Sequence, residues 1–183
     1  MVDILMATYN SEKYIKEQLD SILSQTIANW RLVIRDDCSS DNTLEILKAY
    51  EAKYPEHIFV HQAKTNSGGA DKNFFELINY ALYDYVMFCD QDDVWENNKV
   101  ELSLKKILAL EQQYGNIPLL VHCDAKVVDD ELNLISNSLF DFEQLSKTNT
   151  SINKLIAQNN VTGCTMMVNK TLLDMIKSPH KND

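Results

Sequence analysis

Apolar residues follow two alternating rhythms along the chain, short unbroken runs and longer stretches spaced three and four apart. The runs Val2–Ala7, Trp30–Arg35, Ile58–Gln62, Tyr85–Cys89 and Leu119–Cys123 have the length and residue types of buried strands. Between the first two, Ser11–Thr26 carries Ile15, Leu19, Ile22 and Leu23 at helical spacing, with Asn10 or Ser11 as the N-cap. Asn42–Tyr54 predicts a second helix, opened by a capping box of Asn42 and Glu45 and stopped before Pro55. Asn73–Leu82 predicts a third helix, and Asn97–Tyr114 a long fourth with Val100, Leu104, Ile107 and Leu108 on one face. Such alternation predicts an α/β fold built on an open, mostly parallel sheet.

Beyond Asp124 the rhythm changes. Val127-Val128 followed by Asp129-Asp130 predicts a short hairpin, Phe140–Thr150 a loop, Ser151–Gln158 a helix, Gly163–Val168 a strand and Lys170–Lys177 a helical pattern. No internal repeat or low-complexity linker divides the chain, so its 183 residues read as a single domain.

Composition narrows the function classes. At 45% hydrophobic the chain can bury a core, which excludes disorder. Its 17 basic and 27 acidic residues give a net charge of −10. That balance excludes a binder of nucleic-acid backbones, which needs clustered Lys and Arg. It leaves room for a nucleotide, because a divalent cation held by carboxylates can neutralise a diphosphate. No apolar run approaches the roughly 20 residues that span a bilayer, and no leader pattern precedes Val2, so a cytoplasmic location is expected. Cys38, Cys89, Cys123 and Cys164 stand far apart without a C-x-x-C pair, which favours reduced thiols in or beside strands over zinc or disulfides.

In open α/β sheets, ligands bind beyond the carboxyl ends of the strands, and the unusual polar residues fall there. Strand one ends in Thr8-Tyr9-Asn10, strand two in Asp36-Asp37, strand four in Asp90-Gln91-Asp92-Asp93 and strand five in His122-Cys123-Asp124. Three carboxylates in four residues repel one another and lose hydration if enclosed, so they need compensation. Mg²⁺ or Mn²⁺ supplies it, taking one or two carboxylates together with phosphate oxygens. The competing reading is a solvated turn capping the next helix, but the triplet sits between an apolar strand and Val94-Trp95. Either Asp36, Asp37 or Ser39 satisfies backbone amides, or one of the paired carboxylates accepts the N3–H of uracil or thymine, a donor that cytosine lacks. A dinucleotide-reading role needs a G-x-G-x-x-G after strand one, where this chain has Thr8-Tyr9-Asn10-Ser11. Asn66-Ser67-Gly68-Gly69 with Lys72 could bring amides and one cation to a nucleotide, or be ordinary turn chemistry. His122 and Trp95 read first as structural residues, Trp95 as core or rim.

Together, Ala7-Thr8-Tyr9-Asn10, Ile34-Arg35-Asp36-Asp37-Cys38-Ser39-Ser40-Asp41, Asn66-x-Gly68-Gly69 and Asp90-x-Asp92-Asp93 resemble the pattern of glycosyltransferase family 2. Cys89–Trp95, followed by Asn160-Val161-Thr162-Gly163-Cys164-Thr165, is similar to bacterial rhamnosyltransferase-like members that build surface polysaccharides. The resemblance implies a GT-A fold, Rossmann-like, with helices on both faces of the sheet. It also implies inverting transfer of a sugar from a UDP- or dTDP-linked donor to a saccharide or lipid-linked saccharide. By that resemblance Thr8, Tyr9, Asn10, Asn66, Gly68 and Lys72 border the nucleotide, Asp36 or Asp37 reads the base, and Asp90 faces the ribose or the metal. Asp92 ligates Mg²⁺ or Mn²⁺, and Trp95, Asp124, Gly163, Cys164 and Thr165 lie toward the acceptor. Arg35 and Cys38 replace the usual apolar residue and glycine beside the paired acids, so a different turn is expected, and Lys72 stands where many relatives carry arginine. The acidic motif that supplies the general base in relatives is missing after Thr165, and neither Asp174 nor Asp183 suits the role. The base is therefore expected beyond Asp183, which would make the chain a C-terminally shortened donor-binding portion; any membrane association, at the inner face, would come through the missing part. The rivals are a nucleotidyltransferase, disfavoured without a glycine- and lysine-rich loop after strand one, and a non-enzymatic receiver-like or metal-binding module with an acidic pocket.

Overall fold

Strands apolar on both sides can satisfy themselves only between two helical layers, and this is the arrangement in the computed structural model, which describes residues 1–146 and 159–178. Strands β1 (Val2–Thr8), β2 (Trp30–Asp36), β3 (Ile58–Gln62), β4 (Tyr85–Cys89), β5 (Leu120–His122) and β8 (Met166–Asn169) form one sheet in the order β3-β2-β1-β4-β8-β5. β1, β2, β3 and β4 run parallel, and β8 is antiparallel to both β4 and β5. The helices are α1 (Ile15–Leu23), α2 (Thr43–Lys53), α3 (Ala70–Leu77), α4 (Lys99–Tyr114), α5 (Leu139–Phe142) and α6 (Lys170–Lys177). β6 (Val127–Val128) and β7 (Leu134–Ser136) make the expected hairpin.

Alternate residues of each central strand feed different cores. Ile4, Met6, Leu32, Ile34, Met87 and Cys89 pack with Leu19 and Ile22 of α1, Leu47 of α2 and Ile107 of α4. Leu5, Val33, Val86, Phe88 and Val168 pack on the other face with Leu77 of α3 and Leu173 of α6. β1 is buried at every position, which makes it the axis of the domain. Among the described residues, no helix is long and apolar enough to cross a membrane.

Strand limits fall within a residue of the sequence pattern for β1 to β5, whereas several helix ends differ because tertiary partners take the capping groups. α1 starts at Ile15, not near Ser11: Asn10 is left-handed (φ 48°) with its side-chain oxygen accepting from Ser40, and the Ser11 carbonyl accepts from Tyr14 and Ile15 in a preceding turn. Asn42 does precede α2, but the capping box does not form. The Asn42 amide donates to Glu12 at 2.7 Å, and Asp41 accepts from the Thr43 N–H instead. α3 begins at Ala70 and gives way at Ile78–Tyr80 to a 3₁₀ turn. Gly163–Thr165 is also a 3₁₀ turn, so the last strand starts only at Met166. Part of the expected loop after Phe140 is the short helix α5, nucleated by Ser138, whose side chain caps Asp141. The helix expected over Ser151–Gln158 lies outside the described residues.

Asp3 occupies the opposite end of β1, fully buried. It sits across from Arg31 in the β1–β2 register and accepts from its Nε at 2.7 Å. Its second oxygen accepts the N–H groups of Leu82 and Tyr83 at 2.6 and 2.9 Å, which fixes the entry to β4. Arg31 in turn lies over the rings of Phe59 and Tyr83 and donates to the Tyr80 carbonyl. Removing the charge from a buried pair leaves its partner uncompensated, so Asp3→Asn is expected to lower the unfolding free energy by about 3 kcal/mol. Lys170→Ala, which deletes an exposed pair with Asp174, should cost no more than about 0.5 kcal/mol. Urea denaturation measures both, and equal effects would contradict the assignment of Asp3 as a buried anchor.

Candidate nucleotide and metal site

A parallel sheet leaves backbone groups unpaired where its strands end, and the polar residues singled out from the sequence are the ones that satisfy them. Thr8 donates its hydroxyl to Asp36 Oδ1 at 3.3 Å, and its carbonyl accepts the Asp37 N–H at 2.8 Å. Asp36 also accepts the Ser39 N–H at 3.0 Å and the Ser39 hydroxyl at 2.5 Å. Ser39 Oγ then accepts the Asn10 N–H at 2.9 Å. The ends of β1 and β2 are thereby tied into one turn. Cys38 within it is left-handed (φ 64°), so this turn is made with a side chain present where glycine would be least strained.

Asp37 ties the next loop. Its carboxylate accepts the Ser67 N–H at 2.9 and 3.0 Å and the Ser67 hydroxyl at 2.7 Å. Arg35 donates to the same carboxylate at 3.2 Å and to the Asn73 side-chain oxygen at 2.7 Å, both acids of the turn being almost fully buried. Asn66 donates to the Asp37 carbonyl and accepts the Gly68 N–H at 2.8 Å. Gly68 has φ 82°, which holds the loop open to the α3 N-terminus, and the Lys72 ammonium lies beside it. Thus the amide-satisfying reading of Asp36 and Asp37 is realised in full; a base N3–H would have to displace a Ser67 donor from Asp37 or share Asp36 Oδ2 with Ser39.

The acids after β4 are different, because among the described residues fewer donors reach them. Asp90, Asp93 and Cys164 place one ligand atom each within 4.8 Å of one another, while Asp92 is exposed beside them. Burial and the neighbouring Asp93 raise the Asp90 pKa above the ordinary carboxylate value, with the Cys164 thiol opposing and Asp92 adding to the rise. Burial likewise pushes the Cys164 thiol far up, and both acids reinforce it. A protonated thiol is a poor ligand, so the donor set that fits a hard cation is the carboxylates. Mutual repulsion in the same site is what such a cation would relieve.

The remaining candidates divide. Tyr9 is half exposed at the mouth, its backbone held by Gln91. Trp95 is buried in the core, with the Lys99 ammonium 4.0 Å from its ring centre, so it is a wall rather than a platform. Lys99 also donates to the Cys164 carbonyl at 2.8 Å. Thr165 is buried and closes the turn from Thr162. Asp124 caps α5, accepting from Ser138 at 2.6 Å and from the amides of Leu139 and Phe140. Partial burial opposes its charge, but these donors and the Ala125 amide outweigh it and hold its pKa below the ordinary value. The four cysteines are free and lie in or beside strands, as expected. Sequence reasoning gave Ser39 only an amide-satisfying role and did not single out Arg35, Ser67 or Gln91 as site builders, although all four stood inside the quoted motifs.

Comparison with known proteins agrees with this geometry. The chain is 43% identical over 99 residues to the dTDP-rhamnosyl transferase RfbG of Shigella flexneri, covering 52% of this chain and 34% of that protein. It is 28% identical over 188 residues to the UDP-Glc:α-D-GlcNAc-diphosphoundecaprenol β-1,3-glucosyltransferase WfgD of Escherichia coli, covering 100% of this chain and 66% of that protein. Among solved structures it is similar to TarS of Staphylococcus aureus, with TM-score 0.61 at 25% identity over 95% of this chain and 48% of that one. The UDP complex of TarS matches with TM-score 0.55 at 32% identity, over 70% of this chain and 38% of that one. The chain therefore spans between about a third and two thirds of the length of these curated relatives. The model of the family "Glycosyl transferase family 2" matches residues 3–174, so the chain belongs to that family, and its sheet is a GT-A glycosyltransferase sheet.

Proposed function

We propose that the chain is the donor-binding part of a metal-dependent, inverting glycosyltransferase that takes a UDP- or dTDP-linked sugar and serves bacterial surface-polysaccharide synthesis. The observation that carries this is the convergence of the strand-end loops. Thr8–Asn10, Asp36–Asp37, Asn66–Gly69 and the Asp90–Asp93 acids share one end of the sheet, held by a continuous chain of hydrogen bonds. RfbG and WfgD are named for dTDP-rhamnose and UDP-glucose transfer, and TarS is solved with UDP, which supports a pyrimidine nucleotide here. WfgD, named for a diphosphoundecaprenol-linked sugar, supports a saccharide or lipid-linked saccharide as the acceptor.

The division of labour follows from charge. As the bond to the anomeric carbon breaks, negative charge develops on the departing diphosphate. A bound Mg²⁺ or Mn²⁺ would supply Lewis-acid stabilisation of that leaving group. Asp92 and Asp90 would hold the cation, Asp92 from its exposed position and Asp90 from the cluster in which its ligand atoms meet those of Asp93. The Tyr9 ring offers a face for the base, and the Lys72 ammonium beside Gly68 lies where a phosphate could reach it. Asp36 or Asp37 would read the base by sharing a carboxylate oxygen that already accepts from Ser39 or Ser67. Attack from the opposite sugar face requires a group that takes the acceptor proton, and among the described residues none is assigned to it.

Calorimetry with UDP, dTDP, GDP and ADP, with and without Mn²⁺, tests the reading. Pyrimidine diphosphates are expected to bind at least about tenfold more tightly than purine ones, and more tightly with metal than without. Equal affinity for all four, or indifference to Mn²⁺, would overturn it. Asp92→Ala and Asp90→Ala are each expected to remove most of the metal-dependent gain, about tenfold or more, while leaving the thermal midpoint within a few degrees. A variant that keeps the full metal effect would strike its residue from the ligand set.

A further inference from the structure

The hydrogen-bonded register between β1 and β4 ends at Met6 and Cys89, three and two residues short of Tyr9 and Gln91. Past that point the next link comes from a side chain. The Tyr9 N–H donates to Gln91 Oε1 at 2.6 Å, and Gln91 Nε2 donates to the Tyr9 carbonyl at 3.2 Å. A carboxamide has the donor and acceptor of a peptide group, so Gln91 replaces the missing rung of the sheet from the other strand's loop. Its position in sequence gives the link a consequence. Gln91 stands between Asp90 and Asp92, and Tyr9 stands between Thr8, bonded to Asp36, and Asn10, bonded to Ser39. One side chain thus joins the acidic turn to the loop that presents the exposed Tyr9 ring.

Resting on the nucleotide-site reading above, we propose that Gln91 is a positioning residue that couples the two halves of the donor site. By holding the Tyr9 backbone, it fixes the ring for the base and the flanking carboxylates for the cation in one rigid unit, so occupancy of either half favours the other. Glutamine suits this role better than its near relatives. Glutamate would set a carboxylate against the Tyr9 carbonyl, asparagine is one methylene short, and methionine keeps the volume but loses both bonds.

The test is a double-mutant cycle on the whole chain, with UDP and dTDP as probes at zero and saturating Mn²⁺. Gln91→Met is expected to weaken binding of the better nucleotide about tenfold in the presence of Mn²⁺ and to shrink the gain that Mn²⁺ confers. Tyr9→Ala keeps the backbone groups that Gln91 holds but removes the ring, so in that background the same substitution should lose the part of its effect carried by the ring and cost clearly less than with Tyr9 present. Gln91→Ala should repeat the pattern and controls for the packing of the methionine. Amide exchange gives an independent readout: in the nucleotide-free protein the Tyr9 N–H should be protected, and Gln91→Met should remove that protection without changing exchange in β1. Additive losses across the cycle, an undiminished Mn²⁺ gain, or unchanged Tyr9 protection would each overturn the proposal while leaving the site reading intact. Failure of the unaltered chain to bind either nucleotide would overturn the site reading and this proposal with it.

Discussion

Four parallel strands that end side by side leave N–H and C=O groups that no neighbouring strand can pair, and the rest of this site is the solution to that constraint. The chain meets it with side chains from adjacent loops: Asp36 takes the Ser39 amide, Asp37 the Ser67 amide, and Gln91 both backbone groups of Tyr9. Each bond crosses from one strand's loop to another's or closes a turn between them. The result is a continuous rim that holds the loops in place before any ligand arrives. Preorganisation of this kind is what a site for a flexible, charged donor needs, because ordering the loops at the moment of binding would cost affinity.

The rim also explains how the acids are divided. Asp36 and Asp37 are buried and surrounded by donors, so their charge is already compensated within the chain. Asp90 is different: burial first, and then the neighbouring Asp93 and Asp92, raise its pKa, against which the Cys164 thiol and the Lys99 ammonium act. The first group is structural scaffolding in this geometry, and the second is where an added cation has most to offset. Much of the chain's −10 charge is ordinary surface acid, yet these few carboxylates are placed where charge has a use.

The parts legible in the sequence are those set by local pattern. Tyr85–Cys89 and Ile58–Gln62 were readable to the residue because unbroken apolar runs are bounded by polar turns. The position of every candidate loop followed, since each begins where a strand stops. Helix ends were less readable: the Asn42 amide is drawn off by Glu12, thirty residues away in sequence, and no local rule foresees that. The same applies to the bonds that define the site. Gln91 meets Tyr9 across 82 residues, and Ser67 meets Asp37 across 30. Cys164 reaches Asp90 and Asp93 only because antiparallel β8 inserts between β4 and β5, a topology that periodicity does not reveal. That Asp124, a strand-end candidate, also caps α5 was not readable, since its donors lie fourteen to sixteen residues later.

The central claim is that one nucleoside diphosphate engages all the strand-end loops together. The most direct measurement is amide-resolved NMR of the chain titrated with UDP or dTDP and Mg²⁺. Shifts are predicted at Tyr9–Asn10, Ser67–Gly69 and Asp90–Asp93 with a single affinity. Shifts confined to the groove between α1 and α2, lined by Lys16, Glu45 and Tyr50, or separate affinities for the different loops, would contradict it.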